Sequence, residues 1–271
     1  MSNSRFVLTP EEDENSINAS LGFEVSVMQW LIVFVAVCFG LLVGRFLNWL
    51  SGALMQAMEI QWEQDRQSSE ILESQPGLLT LIWRQRTACG SWLASWPFSP
   101  SSIAMSLASG VLIGVGAALP PSLSTLALLP VGLLMLLMVR IDSEHFILPD
   151  VLVYTLLWSG LLWAALSYAE PEKAIIAAMG AYIGLYVVAE GYSALRGIKM
   201  MGHGDYKLFA ALAAWLDYAM IPAMLLAAAL ITIVLWLVYY RKKDTAEIPF
   251  GPSLIIAGAA LMILKQPWAQ L

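Results

Sequence analysis

The sequence predicts an all-α, polytopic membrane protein of about eight transmembrane helices, with its N-terminus outside and a small cytoplasmic domain between helices 1 and 2. Three observations carry that reading. Of 271 residues, 59% are hydrophobic and 13% charged, against roughly a quarter charged in a soluble domain, and the mean hydropathy is +0.72. A chain this apolar lacks the polar surface to cover itself in water, which excludes a soluble enzyme or a nucleic-acid binder. The apolar residues fall in runs close to the roughly 20 needed to cross a bilayer, cut by short polar breaks. Lysine and arginine, finally, are placed unevenly between those breaks.

Residues 1–25, with "EEDENS" at 11–16, are polar and acidic. They lack a basic start followed by a small-residue cleavage site, so no removable signal peptide is expected. A first span lies near residues 27–47, within a segment 26–49. Residues 50–101 are wetter, with "EIQWEQDRQSSEILESQ" at 59–75, and form the cytoplasmic domain. There an amphipathic helix continues from the first span into an irregular region whose Trp83, Trp92 and Trp96 suit the headgroup level. Residues 102–271 make a seven-helix membrane core, with spans near 103–119, 123–140, 151–168, 174–195, 206–217, 219–240 and 249–265. The segment 206–217 is too short to cross alone unless its ends extend.

Orientation follows from the basic residues. With the N-terminus outside, eleven of the fourteen lysines and arginines lie inside, leaving Arg5, Lys173 and Lys265 outside. The reverse orientation inverts that count, against the positive-inside rule. The two cysteines, Cys38 and Cys89, cannot supply a disulfide scaffold or a four-ligand zinc site. Cys38 lies in an apolar run and is expected to pack as a small hydrophobe. Neither His145 nor His203 has metal-ligand spacing, so no metal is expected.

Two acidic stretches converge on one face of this topology. "RIDSEHFILPD" at 140–150 closes the third span from inside, and "GHGD" at 202–205 opens the sixth from the same side. Asp142 and Asp205 therefore lie at similar depth, where ionisable groups are costly and usually face a partner or a wet cavity. Two carboxylates brought close share a proton. The ionised member can take a proton from water while the other donates to a scissile carbonyl, as in aspartic proteases. Gly202 and Gly204 are expected to let the backbone take unusual dihedrals and let a substrate strand approach.

Simpler roles compete. Asp150 follows Pro149 and can serve as the N-cap of the fourth span, and Asp205 as a cap of the sixth. Asp142 fits that account poorly, because a negative charge at a helix C-terminus opposes the macrodipole. Lys207 and Arg140 read as anchors of helix ends. A transporter using the same acids for proton or cation coupling is a further reading. Its carboxylates should sit near the midplane and its sequence often repeats, whereas these acids lie at one face and no repeat is visible.

In order and spacing these pieces resemble a known family, the type IV prepilin leader peptidases, which are GxGD-type intramembrane aspartyl proteases. "GLLVGRFLNWL" at 40–50 is similar to the family's first-helix motif, with Arg45 where serine is common. "IDSEHFILPDVL" at 141–152, "MGHGDYKLFAALAAWL" at 201–216 and "IPFGPSLIIAG" at 248–258 resemble its two aspartate motifs and its last loop and helix. The resemblance covers most of residues 40–258. It implies that Asp142 and Asp205 are the catalytic pair, with Gly202, Gly204, Pro149, Asp150 and Lys207 shaping the site or binding substrate. The activity implied is removal of the short basic leader of prepilins or pseudopilins, after a glycine, at the cytoplasmic face of a bacterial inner membrane. Such substrates feed type IV pili or type II secretion, and their basic leaders are expected to meet Glu144 and Asp150. Proteolysis by the pair implies no cofactor. Many members also N-methylate the new N-terminus with S-adenosylmethionine, an activity the motifs here leave open. Many carry two Cys-x-x-Cys pairs in the first cytoplasmic loop, resembling a zinc site. Here that loop holds only Cys89, so no zinc is expected. A catalytically inactive assembly scaffold is the remaining alternative, and the intact aspartate pair argues against it.

Overall fold

The computed structural model describes residues 10–67, 100–119, 122–167, 171–197, 201–240 and 248–265. Among them each expected apolar segment is a helix: α1 (Pro10–Gln67), α2 (Pro100–Ala118), α3 (Leu123–His145), α4 (Asp150–Leu166), α5 (Pro171–Arg196), α6 (His203–Ala213), α7 (Ile221–Leu235) and α8 (Gly251–Lys265). Five segments are long and apolar enough to cross a membrane: Met28–Glu63, Pro100–Ala118, Thr125–His145, Pro171–Arg196 and Tyr218–Val238. Helices α4 and α8 are shorter apolar helices, and α6, at 11 residues, is shorter still. Helix α1 does continue past the first span, as far as Gln67. The rest of the expected cytoplasmic domain, with Cys89, Trp83, Trp92 and Trp96, lies outside the described residues.

The chain divides into two compact units, Met1–Leu47 with Trp96–Leu129, and Asn48–Ser95 with Pro130–Leu271. In the first, α1 and α2 touch through small residues. A Cβ on Gly40 would stand 2.7 Å from the Gly110 Cα, and one on Gly44 would stand 2.5 Å from the Ser106 Cα. The Ser109 hydroxyl donates to the Gly40 carbonyl at 2.8 Å. With lipid as solvent there is no hydrophobic drive between apolar helices, so close backbone approach of this Gly-x-x-x-Gly kind supplies the packing. Cys38 is exposed, contrary to its expected burial, because an apolar thiol can face hydrocarbon as readily as a core.

In the second unit α6 is the centre, packed against α4, α5 and α8, while α7 packs on α8. Tyr206 and every residue from Leu208 to Leu216 are buried. A helix that is apolar all round is either enclosed by protein or faces lipid, and the burial of these residues makes α6 the enclosed kind. Its far end is locked by Trp215, whose indole N–H donates to the Leu156 carbonyl at 3.0 Å and whose ring stacks on Trp163. The polar residues of α6 are therefore confined to its start, His203 to Lys207, and that end carries Asp205.

Candidate active site

The last turn of α3 carries Asp142, only 5% exposed. The Phe146 amide donates to the Asp142 carbonyl at 2.9 Å. Phe146 itself has φ 55°, a left-handed conformation that costs a non-glycine residue about 1 kcal/mol or more. That turn ends α3 sharply and delivers Leu148 and Pro149 to the start of α4. Pro149 occupies the N-cap position with no side-chain cap, and α4 begins at Asp150 itself. Asp150 is thus not the N-cap. Its carboxylate is drawn away by Lys207, whose ammonium donates to Oδ1 at 2.7 Å and Oδ2 at 2.8 Å.

Helix α6 starts at His203, with Gly202 as N-cap at φ −74°, ψ 147°. That is ordinary extended backbone, so the unusual dihedrals expected of the two glycines are not adopted. The glycines matter sterically. A Cβ on Gly204 would lie 3.1 Å from the Leu148 Cβ, and one on Gly202 would lie 3.4 Å from the Asp205 Oδ2. Asp205, the third helical residue, turns its carboxyl back to accept the Gly202 backbone N–H, as the acid of a capping box does. Capping and the expected catalytic role therefore fall on one carboxyl.

Helix α8 closes the third side. A Cβ on its first residue, Gly251, would stand 2.5 Å from the Asp142 Oδ2 and 3.4 Å from the Leu148 Cδ1. Three helix termini thus meet around Leu148: the C-terminus of α3 and the N-termini of α6 and α8. The α8 N-terminus offers its positive dipole end to Asp142, offsetting the unfavourable position of that acid on its own helix. The Asp142 Oδ2 is buried and meets no hydrogen-bond partner of good geometry among the described residues, with the Gly251 backbone N–H turned toward the carboxyl.

The two aspartates feel one another. Burial pushes the Asp205 carboxyl up to about 7, the negative charge of Asp142 adds to the rise, and the Gly202 N–H opposes it. A pair so coupled holds one proton between two carboxyls near neutral pH.

The neighbouring acids are arranged differently from expectation. Glu144 pairs with Arg140, whose Nε donates to the Asn48 Oδ1 at 2.9 Å. Asp150 is taken by Lys207, so both acids expected to meet a basic leader are already matched by cations of this chain. The Lys207–Asp150 pair is partly solvent-exposed. Replacing Lys207 by Met is therefore expected to shift stability by only about 0–1 kcal/mol, read as the thermal midpoint in detergent.

Two features escaped the sequence reading. Gly251 is visible in the sequence only as part of "IPFGPSLIIAG". Glu190, an acid in the apolar run "VVAEGY", is reached by the buried Tyr206: the phenol donates to the Glu190 Oε1 at 3.3 Å, and the His203 Nε2 lies 3.9 Å from the same oxygen.

Fold and site together define a multi-pass membrane protein with two coupled aspartates where three helix ends meet, the donor set of an aspartic hydrolase. The type IV leader peptidase family matches over residues 128–237, a range that contains both aspartates. The chain is 30% identical over 271 residues to a prepilin leader peptidase/N-methyltransferase of Dickeya chrysanthemi, covering 87% of this chain and 93% of that protein. It is 31% identical to the Pseudomonas aeruginosa protein of that name, over 83% of this chain and 88% of the relative. A Burkholderia pseudomallei relative is 32% identical over 86% and 85%. The chain belongs to the type IV leader peptidase family. No solved structure matches it.

Proposed function

We propose that this chain is an aspartyl endopeptidase of the bacterial inner membrane, removing the leader of type IV prepilins or type II secretion pseudopilins at the cytoplasmic face. The observation that carries the reading is the coupling of Asp142 and Asp205 at the junction of α3, α6 and α8, in a chain whose relatives are named prepilin leader peptidases. Asp142, facing the α8 N-terminus, is the better placed to be anionic and takes a proton from the attacking water. Asp205 holds the shared proton and gives it to the scissile carbonyl. The tetrahedral diol then collapses: Asp142 passes its proton to the leaving nitrogen as the C–N bond breaks, and Asp205 regains one from a diol hydroxyl, with no covalent intermediate. An extended substrate would have to reach the pair past the first turn of α6, where Gly202 and Gly204 carry no side chain to block it.

The relatives' names also carry N-methyltransferase. That second reaction needs a methyl donor, for which the resemblance implies S-adenosylmethionine. The same experiment tests both activities. A tagged prepilin is co-expressed with the chain and its N-terminus weighed. Loss of the leader supports the peptidase, and one added methylene on the product supports methyl transfer. A leader retained in full across several prepilins overturns the proposal.

The pH dependence has a defined sign. Asp205 must be protonated to act as acid, and its carboxyl titrates at about 7. Cleavage by the reconstituted protein is expected to fall as pH rises through about 7, approaching tenfold per unit above it. A rate that climbs steadily between pH 7 and 9 contradicts that assignment.

A further inference from the structure

Glu144, Asp150 and Glu190 stand on α3, α4 and α5, and they differ in what neutralises them. Glu144 is paired with Arg140 and Asp150 with Lys207. Glu190 has neither lysine nor arginine against it among the described residues. Its partners are the Tyr206 phenol, which is neutral, at 3.3 Å, and the His203 imidazole at 3.9 Å, which carries charge only when protonated. Its side chain is 37% exposed and that of His203 is 62% exposed, so the carboxylate is reachable. It also sits at the right end of the molecule. Tyr206 follows Asp205 directly in α6, and its buried ring, set edge-on to Tyr186 and His203, holds Glu190 against the same first turn that carries the proposed acid.

Resting on the peptidase reading, the substrate has known electrostatics on general grounds. A short segment preceding an apolar helix on the cytoplasmic side of a membrane carries lysine or arginine, by the positive-inside rule. A cation just before the scissile bond therefore arrives beside α6. We infer that Glu190 receives a basic side chain of the leader, with Tyr206 and His203 fixing its carboxylate, and so is a specificity-determining residue for this cleavage. Glu144 and Asp150 do not compete, because displacing their intrachain cations gains one ion pair only by losing another.

The test uses the full-length chain in phospholipid proteoliposomes with three prepilins, one with its natural leader, one with each leader Lys and Arg replaced by Gln, and one with each replaced by Glu. Glu190→Gln is expected to raise KM about tenfold for the basic leader with kcat unchanged, and to leave the neutral leader unaffected. Glu190→Lys is expected to cleave a leader carrying Glu at those positions faster than the wild type does. Tyr206→Phe, which removes the hydrogen bond and keeps the charge, should retain most of the discrimination. Equal losses on basic and neutral leaders, in kcat, would mean that Glu190 merely positions α6, and no change on either would mean that it does not meet the substrate. Both results overturn the inference. Should the wild type cleave none of the three, the peptidase reading itself falls, a result distinct from cleavage that ignores leader charge.

Discussion

Asp142→Asn and Asp205→Asn are each expected to lower the cleavage rate at least about a thousandfold. General acid–base catalysis by one positioned group contributes about 10²–10⁴, and here the two groups work on one proton, so losing either disables both. The double substitution should then be little worse than each single one, because members of a unit are strongly non-additive. Asparagine keeps the shape of aspartate and removes the buried, mutually repelling charge, so folding should persist. The thermal midpoint in detergent checks that, and the mass of a co-expressed prepilin reports the activity. Cleavage surviving in both single variants would remove the pair from the mechanism.

Gly251→Ala is expected to lower kcat by about a hundredfold while leaving the helices intact. Its Cβ would stand 2.5 Å from the Asp142 Oδ2, closer than any real contact, so the carboxyl has to move aside by a sizeable fraction of an ångström. Misplacement of a reacting group by about 1 Å can cost a hundredfold. Gly202→Ala provides the contrast. Its Cβ would meet the Asp205 Oδ2 at 3.4 Å, an ordinary van der Waals distance, so its loss should be several-fold at most. Both glycines begin a helix beside an aspartate, so a shared helix-propensity effect would move the two variants together. Only steric displacement separates them. Single-turnover cleavage of one prepilin, with circular dichroism to confirm helix content, decides the order. Equal activity of Gly251→Ala and wild type would detach α8 from the site.

The sequence shows the apolar helices because lipid leaves few alternatives: a segment with that many hydrocarbon side chains and all its backbone groups to satisfy becomes a helix. It shows Asp142 and Asp205 for a related reason, since a carboxyl at a helix end in so apolar a chain is expensive and hence conspicuous. What it hides is pairing across the bundle. Lys207 and Asp150 are 57 positions apart, and nothing local to either residue announces the other. The same is true of Gly251 against Asp142. Tyr206 and Glu190 are separated by only 16 residues, yet their meeting depends on the turn between α5 and α6. Gly40 and Gly44 were legible as a family motif without their packing role, because Gly-x-x-x-Gly acquires meaning only when another helix lies in the notch. The glycines of "GHGD" suggest dihedral freedom and room for a substrate strand, and the clearance they provide in the structure is toward Leu148 and Asp205 of the chain itself. A glycine's sequence position does not say which of its two properties is in use.

The brevity of α6 has a consequence for hydration. Eleven helical residues rise about 16 Å, roughly half the 30 Å thickness of a bilayer's hydrocarbon. Polar groups stand at both limits: Asp205 at the first turn, and beyond the buried Leu216 the Asp217–Lys265 ion pair at 3.0 Å. Because α4, α5 and α8 enclose this helix, lipid cannot thin around it to make up the difference. The shortfall is then taken up within the protein, between the two polar ends of α6 and the bilayer surfaces. Hydrolysis consumes one water for every bond broken, and a central rod too short for its membrane sets the depth to which that water has to be admitted.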